Sequence, residues 1–506
     1  MPYSAEHYEQ LRERSEREDI VMFINTCFAA TGQNEYYNDR YTDSVSIDFL
    51  HQYVLANYRT VYARVLSVGI NHFSQALIIR NLLQSGAPTD HASRIEEGRL
   101  IEVSLRQLPA NRVFKLFARL RTDSINNRRT RAVVREYLRH QQSKSFFFVK
   151  YRNKLRTAVR HAHADVSGET ARFLFSLKES KQFQDPLYDA FLRAHFSKQA
   201  VFELPFTVAE GLAARHGIRR DEFLRKIGPM MTRTEKLRLQ NAANRTNKVA
   251  MEFDLSAAPL TGLALYILSL PLEQRKQRAE EYHAALFAAA NRVAQRSSLK
   301  AEKTAAVMDR SRSTWGTRER RRRPLAIAVA MHYLLSSVSA EFRSFWSPAH
   351  GDKPSEYSPH EYAFLVDAGG QTDLATPLLN AIAWRPNEIV IVSDGYENSP
   401  TGAVNQIVCA YRERLQTKHP ISFIHTNPVF DAEHFSPKRL GDAVLTIGLR
   451  DAEDLSASMR FAKFAAGEAT QAELETFLSH SAETYIGLAS NRESPVASSE
   501  TDQNEA

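Results

Sequence analysis

The 506-residue sequence has only two cysteines, Cys27 and Cys409. Two cysteines this far apart have neither the spacing of a zinc motif nor the density of a disulfide framework, which favours a reducing compartment. No apolar run reaches the length of about 18 residues that a transmembrane helix requires. The polar, charged N-terminus lacks the apolar core of a secretory signal peptide. We therefore expect a cytoplasmic protein that is not attached to a membrane.

Motifs of common enzyme classes are missing as well. The sequence has no Walker A motif, no nucleophile elbow and no paired cysteine–histidine signal, and its 17 histidines are scattered. Its apolar fraction of 43% and charged fraction of 25% are ordinary for globular proteins, and its length predicts more than one domain. We therefore expect a multidomain binding protein that is not an enzyme.

Acidic residues are scarce in one region. Residues 104–160 contain 16 lysines and arginines but only two acids, Asp123 and Glu136. On a larger scale, residues 1–300 have a net charge of +15 and residues 301–506 a net charge of −7. Because few acids are present to pair with these cations, the region is predicted to bind a polyanion by neutralising its phosphates. A solvated helix face is the alternative interpretation.

Aromatic residues alternate with the basic ones in the same region. Tyr137, Phe146–Phe148 and Tyr151 lie between the clusters of arginine and lysine. Exposed rings of this kind can stack on unpaired bases of a nucleic acid. In the alternative interpretation, Phe146–Phe148 lie in the hydrophobic core.

The spacing of apolar residues changes near residue 300. Before it, apolar residues recur every three or four positions, which predicts helices; after it, short apolar runs alternate with helical stretches, which predicts a parallel sheet. The predicted strands are 304–308, 341–346, 361–366, 388–392, 421–425 and 443–448, and a single helix is predicted over 456–464. We therefore predict an all-α, HEAT-like solenoid over residues 1–300, a doubly wound α/β domain over 301–490 and a disordered tail over 491–506.

Three segments of the second domain carry oxygen-bearing side chains. DRSRS at 309–313 follows one predicted strand, GGQTD at 369–373 supplies a hydroxyl from another loop, and VSDG at 392–395 ends a second strand. Because the carboxyl ends of parallel strands share one edge of a sheet, we expect these side chains to lie together. Carboxylates and hydroxyls without histidine or cysteine suit Mg²⁺ best, with Ca²⁺ or Mn²⁺ as further options.

Residues 303–480 resemble a von Willebrand factor A domain, in which these segments occupy the places of the metal-ion-dependent adhesion motif. The resemblance implies that one metal position stays open for an acidic residue of a partner. Gln371 departs from the family pattern because it separates the glycines from Thr372, and the two arginines of DRSRS add positive charge beside the cation. The ligands that the resemblance implies are Asp309, Ser311, Ser313, Thr372 and Asp394.

A basic helical region followed by an A domain resembles the Ro autoantigen (TROVE) family. The segment RRTRAVVREYLRHQQSKSFFFVKYRNKLRTAVRHAHAD is similar to that family's arginine-rich helix and the KYR segment that follows it. The resemblance implies a monomeric ring of helical repeats that binds structured, Y-like noncoding RNA outside and single-stranded ends of misfolded RNA inside. An exonuclease or helicase could then be attached through the RNA. The candidate RNA-contacting residues are Arg121, Arg128, Arg129, Arg131, Arg135, Arg139, Lys150, Arg152, Lys154, Arg156, Arg160 and His161.

A second function remains open from the sequence. Adaptors of MoxR-type AAA+ ATPases also place an A domain after a helical region, and there the metal face would recruit an acidic partner protein. The acid-poor segment 104–160 favours the RNA-binding hypothesis, because such an adaptor does not need it. An extracellular adhesion module is disfavoured by the missing signal peptide and disulfides.

Overall fold

The computed structural model describes residues 5–33, 40–141, 144–166, 168–232, 235–236, 255, 258–297, 299–317, 322–347, 361–467 and 469–491. Its α-helices up to residue 227 are α1 (Ala5–Ala29), α2 (Arg40–Asn57), α3 (Arg59–Arg64), α4 (His72–Gln84), α5 (His91–Gln107), α6 (Ala110–Thr122), α7 (Arg128–Gln141), α8 (Ser145–Lys150), α9 (Arg152–Ala162), α10 (Gly168–Phe175), α11 (Pro186–Arg193), α12 (Phe206–Arg215) and α13 (Arg220–Ile227). Its later α-helices are α14 (Leu260–Ser269), α15 (Leu272–Gln277), α16 (Ala279–Arg296), α17 (Arg323–Val338), α18 (Ala375–Ala383), α19 (Ala403–Arg414), α20 (Leu455–Met459), α21 (Ala462–Ala465) and α22 (Gln471–Asn491). Its strands are β1 (Ala301–Met308), β2 (Ser339–Trp346), β3 (Glu388–Val392), β4 (Ser422–Asn427) and β5 (Leu445–Gly448).

Contacts divide the chain into two compact units. We call Met1–Ser74 with Asp254–Ser481 the α/β unit, and Gln75–Phe253 with Ala482–Ala506 the helical unit. The change from helices to alternating strands and helices falls at Ala301, as predicted. The units, however, divide the chain at other positions than residue 300, since helices on both sides of the helical unit in the sequence belong with the sheet.

The α/β unit is built on one parallel sheet with strand order β2-β1-β3-β4-β5. Alternate strand residues such as Val307 and Ile391 lie in a buried cluster with Leu378 of α18 and Val408 of α19. This alternation follows from the pleat, because successive side chains point to opposite faces of a sheet. The continuous apolar run EIVIV of β3 is buried from Ile389 to Val392, as parallel strands usually are.

Helix α1 covers the edge of the sheet at β5. The side chain of Asn25 donates from Nδ2 to the Thr446 carbonyl at 3.4 Å and accepts from the Gly448 amide at 3.0 Å. An edge strand otherwise presents unpaired amide and carbonyl groups that promote association with other chains. The N-terminal helix is therefore part of the α/β unit and satisfies the backbone of its edge strand.

The helical unit contains a packed group of helices α6, α7 and α9. Apolar residues recur along one face of each helix, and aromatic rings fill the space between them. The ring of Phe114 lies 5.2 Å from that of Phe147 and 5.0 Å from that of Tyr151, and Phe117 lies 5.5 Å from Tyr137. Edge-to-face and tilted pairs at these distances add to the free energy gained by burial.

Two predicted elements were wrong in detail. Residues 361–366 do not form a strand: a short 3-10 turn lies at Ala363–Leu365, and the carbonyls of Phe364 and Val366 accept hydrogen bonds from the buried Arg275 guanidinium. These carbonyls are therefore bonded to a side chain rather than to a neighbouring strand. The predicted helix over 456–464 is divided into α20 and α21. The predicted tail lies outside the described residues beyond residue 491.

No helix among the described residues is long and apolar enough to cross a bilayer. Cys27 is buried and Cys409 is exposed, and neither forms a disulfide.

Candidate metal centre and nucleic-acid interface

The first loop of the candidate metal centre begins where β1 ends. Because Met308 pairs with Val392 across the sheet, Asp309 and Ser393 follow their strands side by side. The Asp309 carboxylate accepts from the Ser311 amide at 2.7 Å and from the Ser393 hydroxyl at 3.0 Å. The hydroxyls of Ser311 and Ser313 lie 3.1 Å apart. The turn therefore gathers one carboxylate and two hydroxyls at the end of the strand.

The second loop is attached to the first by its backbone. The Gly369 amide donates to the Arg310 carbonyl at 2.8 Å, and the Arg312 amide donates to the Gly370 carbonyl at 3.2 Å. These two bonds hold the glycine turn against DRSRS. Gln371 is exposed, so its side chain lies away from the buried oxygens of the site.

Thr372 is held from the other side by the segment that follows Asp394. Its amide donates to the Asn398 side chain at 2.9 Å, and its carbonyl accepts from the amides of Asn398 and Ser399. Thr372 is buried with the rest of the predicted ligand set. The extra glutamine in the sequence motif therefore leaves the threonine anchored between two loops.

The third loop carries Asp394 and is fixed by the segment after β4. Gly395 has a φ of +80°, and a Cβ there would lie 2.5 Å from the Lys438 carbonyl. The Asn427 side chain donates to the carbonyls of both Asp394 and Lys438 at 3.0 Å. A glycine is needed here because the backbone is left-handed and has no room for a side chain.

The two carboxylates of the site lie in an environment that disfavours their charge. Burial raises the pKa of Asp309, although hydrogen bonds from Ser311 and Ser393 oppose the shift. Burial, followed by the charge of Asp309, raises the pKa of Asp394 to about 7. Two neighbouring buried carboxylates without a partner cation are costly, and a bound cation would remove that cost.

The five predicted ligands therefore fit a hard divalent cation. Asp309, Ser311, Ser313, Thr372 and Asp394 are all less than 7% exposed, and the set offers oxygen atoms only. Mg²⁺, Ca²⁺ and Mn²⁺ prefer such donors, whereas zinc prefers nitrogen and sulfur.

Sequence analysis missed the residues that position these ligands. Ser393 bonds the Asp309 carboxylate, Asn398 anchors Thr372, and Asn427 holds the Asp394 loop. Arg275 of α15 bonds the Asp367 carboxylate and the carbonyls of Phe364 and Val366, just ahead of the glycine turn. Ser393 stood next to a predicted ligand in VSDG, but the other three are distant in sequence and no local pattern marks them.

The basic surface of the helical unit is arranged around α7 and α9. Helix α7 begins after Asn127, whose side-chain oxygen accepts from the Thr130 amide at 2.8 Å and whose amide donates to the Leu83 carbonyl at 2.7 Å. This cap sets the direction of the arginine-bearing helix. Four predicted cations are exposed and form no side-chain hydrogen bond or ion pair with the described residues: Arg121, Arg128, Lys154 and Arg160.

Three predicted cations are engaged with the protein itself. Arg129 is largely buried and forms an ion pair with the buried Glu97 at 2.5 Å. Arg152 donates to the carbonyls of Phe173 and Leu174 at the end of α10, at 2.9 and 2.8 Å. Arg135 is exposed but donates from Nε to the last carbonyl of α9, at Ala162. The guanidinium groups of Arg129 and Arg152 are thus bonded within the helical unit.

The remaining five candidates contact other groups of the protein but are not buried. They are Arg131, which donates to the Asn126 carbonyl; Arg139, which pairs with Glu136; His161, which contacts the Ile125 carbonyl; Lys150, which lies over the Phe146 ring; and Arg156, which is half-buried beside Arg152. Each keeps part of its side chain at the surface of the helical unit.

Both acids of the basic segment are already paired. Asp123 lies 2.6 Å from Arg80 and 2.9 Å from Arg119; burial acts to raise the pKa of Asp123, but the two arginines together hold it below the usual value. Glu136 pairs with Arg139 and lies 3.2 Å from His140. The positive charge of Arg128, Lys154 and their exposed neighbours is therefore not balanced by these two acids.

The aromatic residues of this segment are mostly in the core. Tyr137, Phe147 and Phe148 are buried, and burial raises the pKa of the Tyr137 hydroxyl. The expectation that these rings stack on bases was wrong for the three, because they fill the space between helices. Phe146 and Tyr151 are half-buried, with Lys150 over both rings.

Comparisons with known proteins give a match among the solved structures. No family model and no curated protein sequence matches the chain. The solved structure of the Ro (RSR) protein from Deinococcus radiodurans matches with a TM-score of 0.52 and 14% identity, over 89% of this chain and 100% of that chain. The likeness shows a shared fold, in which a helical part accompanies an α/β part. It confirms the predicted fold class and, for the fold, the resemblance to Ro.

Proposed function

We propose that this protein is a non-enzymatic RNA-binding protein of the Ro type, with the helical unit as its main RNA surface. The observation that carries the proposal is the set of exposed cations on α6, α7 and α9 that form no ion pair with the part of the chain that the structure describes. Arginine and lysine side chains in this state can neutralise phosphates without first breaking an ion pair. The shared fold with a Ro protein supports the same class of ligand.

The kind of RNA, the compartment and the protein partners are proposed from the resemblance to the Ro family. We propose that the ligand includes structured, Y-like noncoding RNA and single-stranded ends of misfolded RNA, bound in the cytoplasm in RNA quality control. An exonuclease or helicase would then act through the shared RNA rather than through a protein contact. The unpaired state of Cys27 and Cys409 supports a reducing compartment.

A salt series with matched variants tests RNA binding. The full-length protein is titrated against a single-stranded oligonucleotide and a hairpin RNA, and the slope of log affinity against log salt is measured. In the triple variant Arg128→Gln/Lys154→Gln/Arg160→Gln, the slope should become shallower by about 2, because each single-strand phosphate contact contributes about 0.7. The expected loss of affinity is at least about tenfold at moderate salt.

The matched control removes the same charge from α13 and the residue before it. Arg219, Arg220 and Lys226 are exposed cations of the same unit, but each is paired with an acid. The variant Arg219→Gln/Arg220→Gln/Lys226→Gln should bind RNA as the parent does. Equal losses in both triple variants would show that net charge alone, and not this surface, governs binding. Absence of RNA binding by the parent would overturn the proposed function.

We also propose that the α/β unit binds one Mg²⁺ ion through Asp309, Ser311, Ser313, Thr372 and Asp394. Two buried carboxylates with raised pKa values and three buried side-chain hydroxyls support this proposal. The cation would organise the three loops and leave a position for an external anionic ligand.

Calorimetric titration with MgCl₂ tests the metal proposal. The parent protein should bind one ion, and Asp309→Asn should weaken binding at least about tenfold because a ligand charge is lost. Asp373 lies next to Thr372 but bonds the amide and hydroxyl of Thr376 at the start of α18. Asp373→Asn is therefore the matched control and should retain the parent affinity. Unchanged affinity in Asp309→Asn would disprove the site.

A further inference from the structure

The mouth of the proposed cation site has positive side chains that the ligand set does not use. Arg312 lies between the two serine ligands on the DRSRS turn and is exposed. Its amide is bonded to the Gly370 carbonyl, which fixes its backbone. Its guanidinium forms no hydrogen bond or ion pair with the part of the chain that the structure describes. A fixed backbone with a free guanidinium is suited to bind an incoming anion.

Lys438 supplies a second cation from another loop. Its Nζ lies 3.7 Å from the centre of the Tyr396 ring, two residues after Asp394. Its carbonyl is held by the Asn427 side chain, which also bonds the Asp394 carbonyl. The charge of Lys438 also acts on the Asp394 carboxylate. The lysine is therefore positioned beside the metal loop by both its backbone and its side chain.

Four acids of the surrounding loops are bonded within the α/β unit, whereas Glu433 is exposed. Asp373 caps α18, Glu397 bonds the Val404 amide near the start of α19, and Asp367 pairs with Arg275. Asp431 lies 2.8 Å from His434. These carboxylates do not form ion pairs with Arg312 or Lys438 among the described residues. Two cations therefore remain beside a site that would itself hold a divalent cation.

We infer that the external ligand of this site is a phosphate group of the bound RNA, with Arg312 and Lys438 as its specificity-determining residues. The inference rests on the proposed RNA binding and cation binding. Mg²⁺ characteristically combines one or two protein carboxylates with a phosphate of its substrate. A phosphodiester has two non-bridging oxygens, so one can bind the cation while the other accepts from a guanidinium or ammonium group. The α/β unit would then contact RNA at a site separate from the basic residues of the helical unit.

The test measures how much Mg²⁺ strengthens RNA binding. A single-stranded oligonucleotide is titrated with the full-length protein at constant ionic strength, with and without Mg²⁺. The same titrations are made with Asp309→Asn, whose gain in affinity with Mg²⁺ reports effects of the cation on the RNA alone. This gain is subtracted from that of the parent protein. We expect a site-dependent gain of about tenfold or more for the parent, within the range for a charge-assisted contact. The gain should disappear in Arg312→Gln/Lys438→Gln, while calorimetry shows that this variant still binds Mg²⁺.

Glu433→Gln is the matched control on the Lys438 loop. Glu433 is exposed, and its side chain lies near Tyr396, so the variant changes charge by one unit in the same region. It should keep the Mg²⁺-dependent gain or increase it. Loss of the gain in Glu433→Gln as well as in Arg312→Gln/Lys438→Gln would overturn the assignment of the two cations.

Phosphorothioate RNA separates a direct contact from a general electrostatic effect. Replacing a non-bridging phosphate oxygen by sulfur should weaken the gain with Mg²⁺, which prefers oxygen, and Mn²⁺ should restore it. If RNA binds equally well with and without the cation, the inference is wrong although RNA binding stands. If instead a carboxylate-rich peptide binds in a Mg²⁺- and Asp309-dependent way without any gain for RNA, the ligand is an acidic protein. No RNA binding under any condition overturns the proposed function itself.

Discussion

At the scale of single residues, the same side chain has different roles according to its surroundings. Arg128 and Arg129 are adjacent in sequence, yet the first is exposed and forms no ion pair with the described residues, and the second is paired with the buried Glu97. Removing Arg129 would break the ion pair of a buried carboxylate, and the loss of one partner of such a pair is strongly destabilising in most proteins. Charge counting therefore finds a basic region but does not show which of its cations are already bonded within the protein.

The carboxylates of the proposed metal site predict a pH dependence of Mg²⁺ binding. The pKa of Asp394 is raised to about 7, first by burial and then by Asp309, so protons compete with the cation below that pH. Affinity measured by calorimetry should fall by up to about tenfold per pH unit as the pH decreases below 7, since one proton must be displaced.

Protein stability without the cation should depend on pH in the opposite sense. The folded-state pKa of Asp394 is above its unfolded value. Its stabilising contribution to the free energy of unfolding is therefore fully present below pH 3.8 and is lost as the pH rises through about 7. Mg²⁺ should therefore raise the unfolding temperature more at pH 8 than at pH 5.5. A Mg²⁺ affinity independent of pH between 6 and 8 would contradict the assignment of Asp394 as a ligand.

At the scale of elements, helix α1 and strand β5 meet at very short range. A Cβ on Gly448 would lie 2.3 Å from the Asn25 carbonyl oxygen, so the helix approaches the strand closely only because this residue is glycine. The Asn25 side chain then bonds the amide and carbonyl groups of the strand.

Gly448→Ala should therefore destabilise the protein by about 1–3 kcal/mol, because the helix must move away from the edge strand. Chemical denaturation monitored by circular dichroism would measure the change. Gly211, inside α12, has open space around a Cβ, and Gly211→Ala should be neutral or stabilise by up to about 1 kcal/mol. Equal behaviour of the two variants would show that α1 does not pack on β5 in this way.

At the scale of the whole molecule, residues far apart in sequence form one unit. The α/β unit combines residues from the start of the chain with the segment after residue 254. Phe23, Phe28 and Ile24 of α1 are essentially fully buried, and the Phe28 ring lies 6.0 Å from that of Phe461. The fold of the sheet therefore depends on helices that precede it by more than 200 residues.

Deletion of residues 1–57, which removes α1 and α2, should impair the α/β unit selectively. Burial of each large apolar side chain contributes about 1.5–3 kcal/mol. The burial free energy lost with the two helices is therefore comparable to the net free energy of unfolding of an ordinary domain. Calorimetry should show a weakened or missing transition for the α/β unit, while the transition of the helical unit is retained. Two transitions at the parent temperatures would show that the N-terminal helices are dispensable.

Local patterns in the sequence determined much of the architecture. Helical spacing before residue 300, the strand EIVIV and the three oxygen-bearing segments follow from periodicities and strand ends that act over a few residues. The prediction of a strand over 361–366 was wrong because carbonyls of this segment bond to Arg275, which lies on a helix about 90 residues earlier. A sequence pattern that extends over a few residues cannot reveal a hydrogen-bond partner so far away in the chain.

Only the tertiary structure decided which side chains remain free to bind a ligand. Glu97 withdraws Arg129 from the surface, the helix packing buries Tyr137 and Phe147, and Asn427 positions Lys438 beside the metal loop. Residue types and their spacing were enough to indicate a basic helical region and a group of oxygen-bearing side chains suited to a cation. Burial and ion pairing depend on contacts between distant segments, so the sequence pattern determined the class of chemistry and the fold determined which residues can perform it.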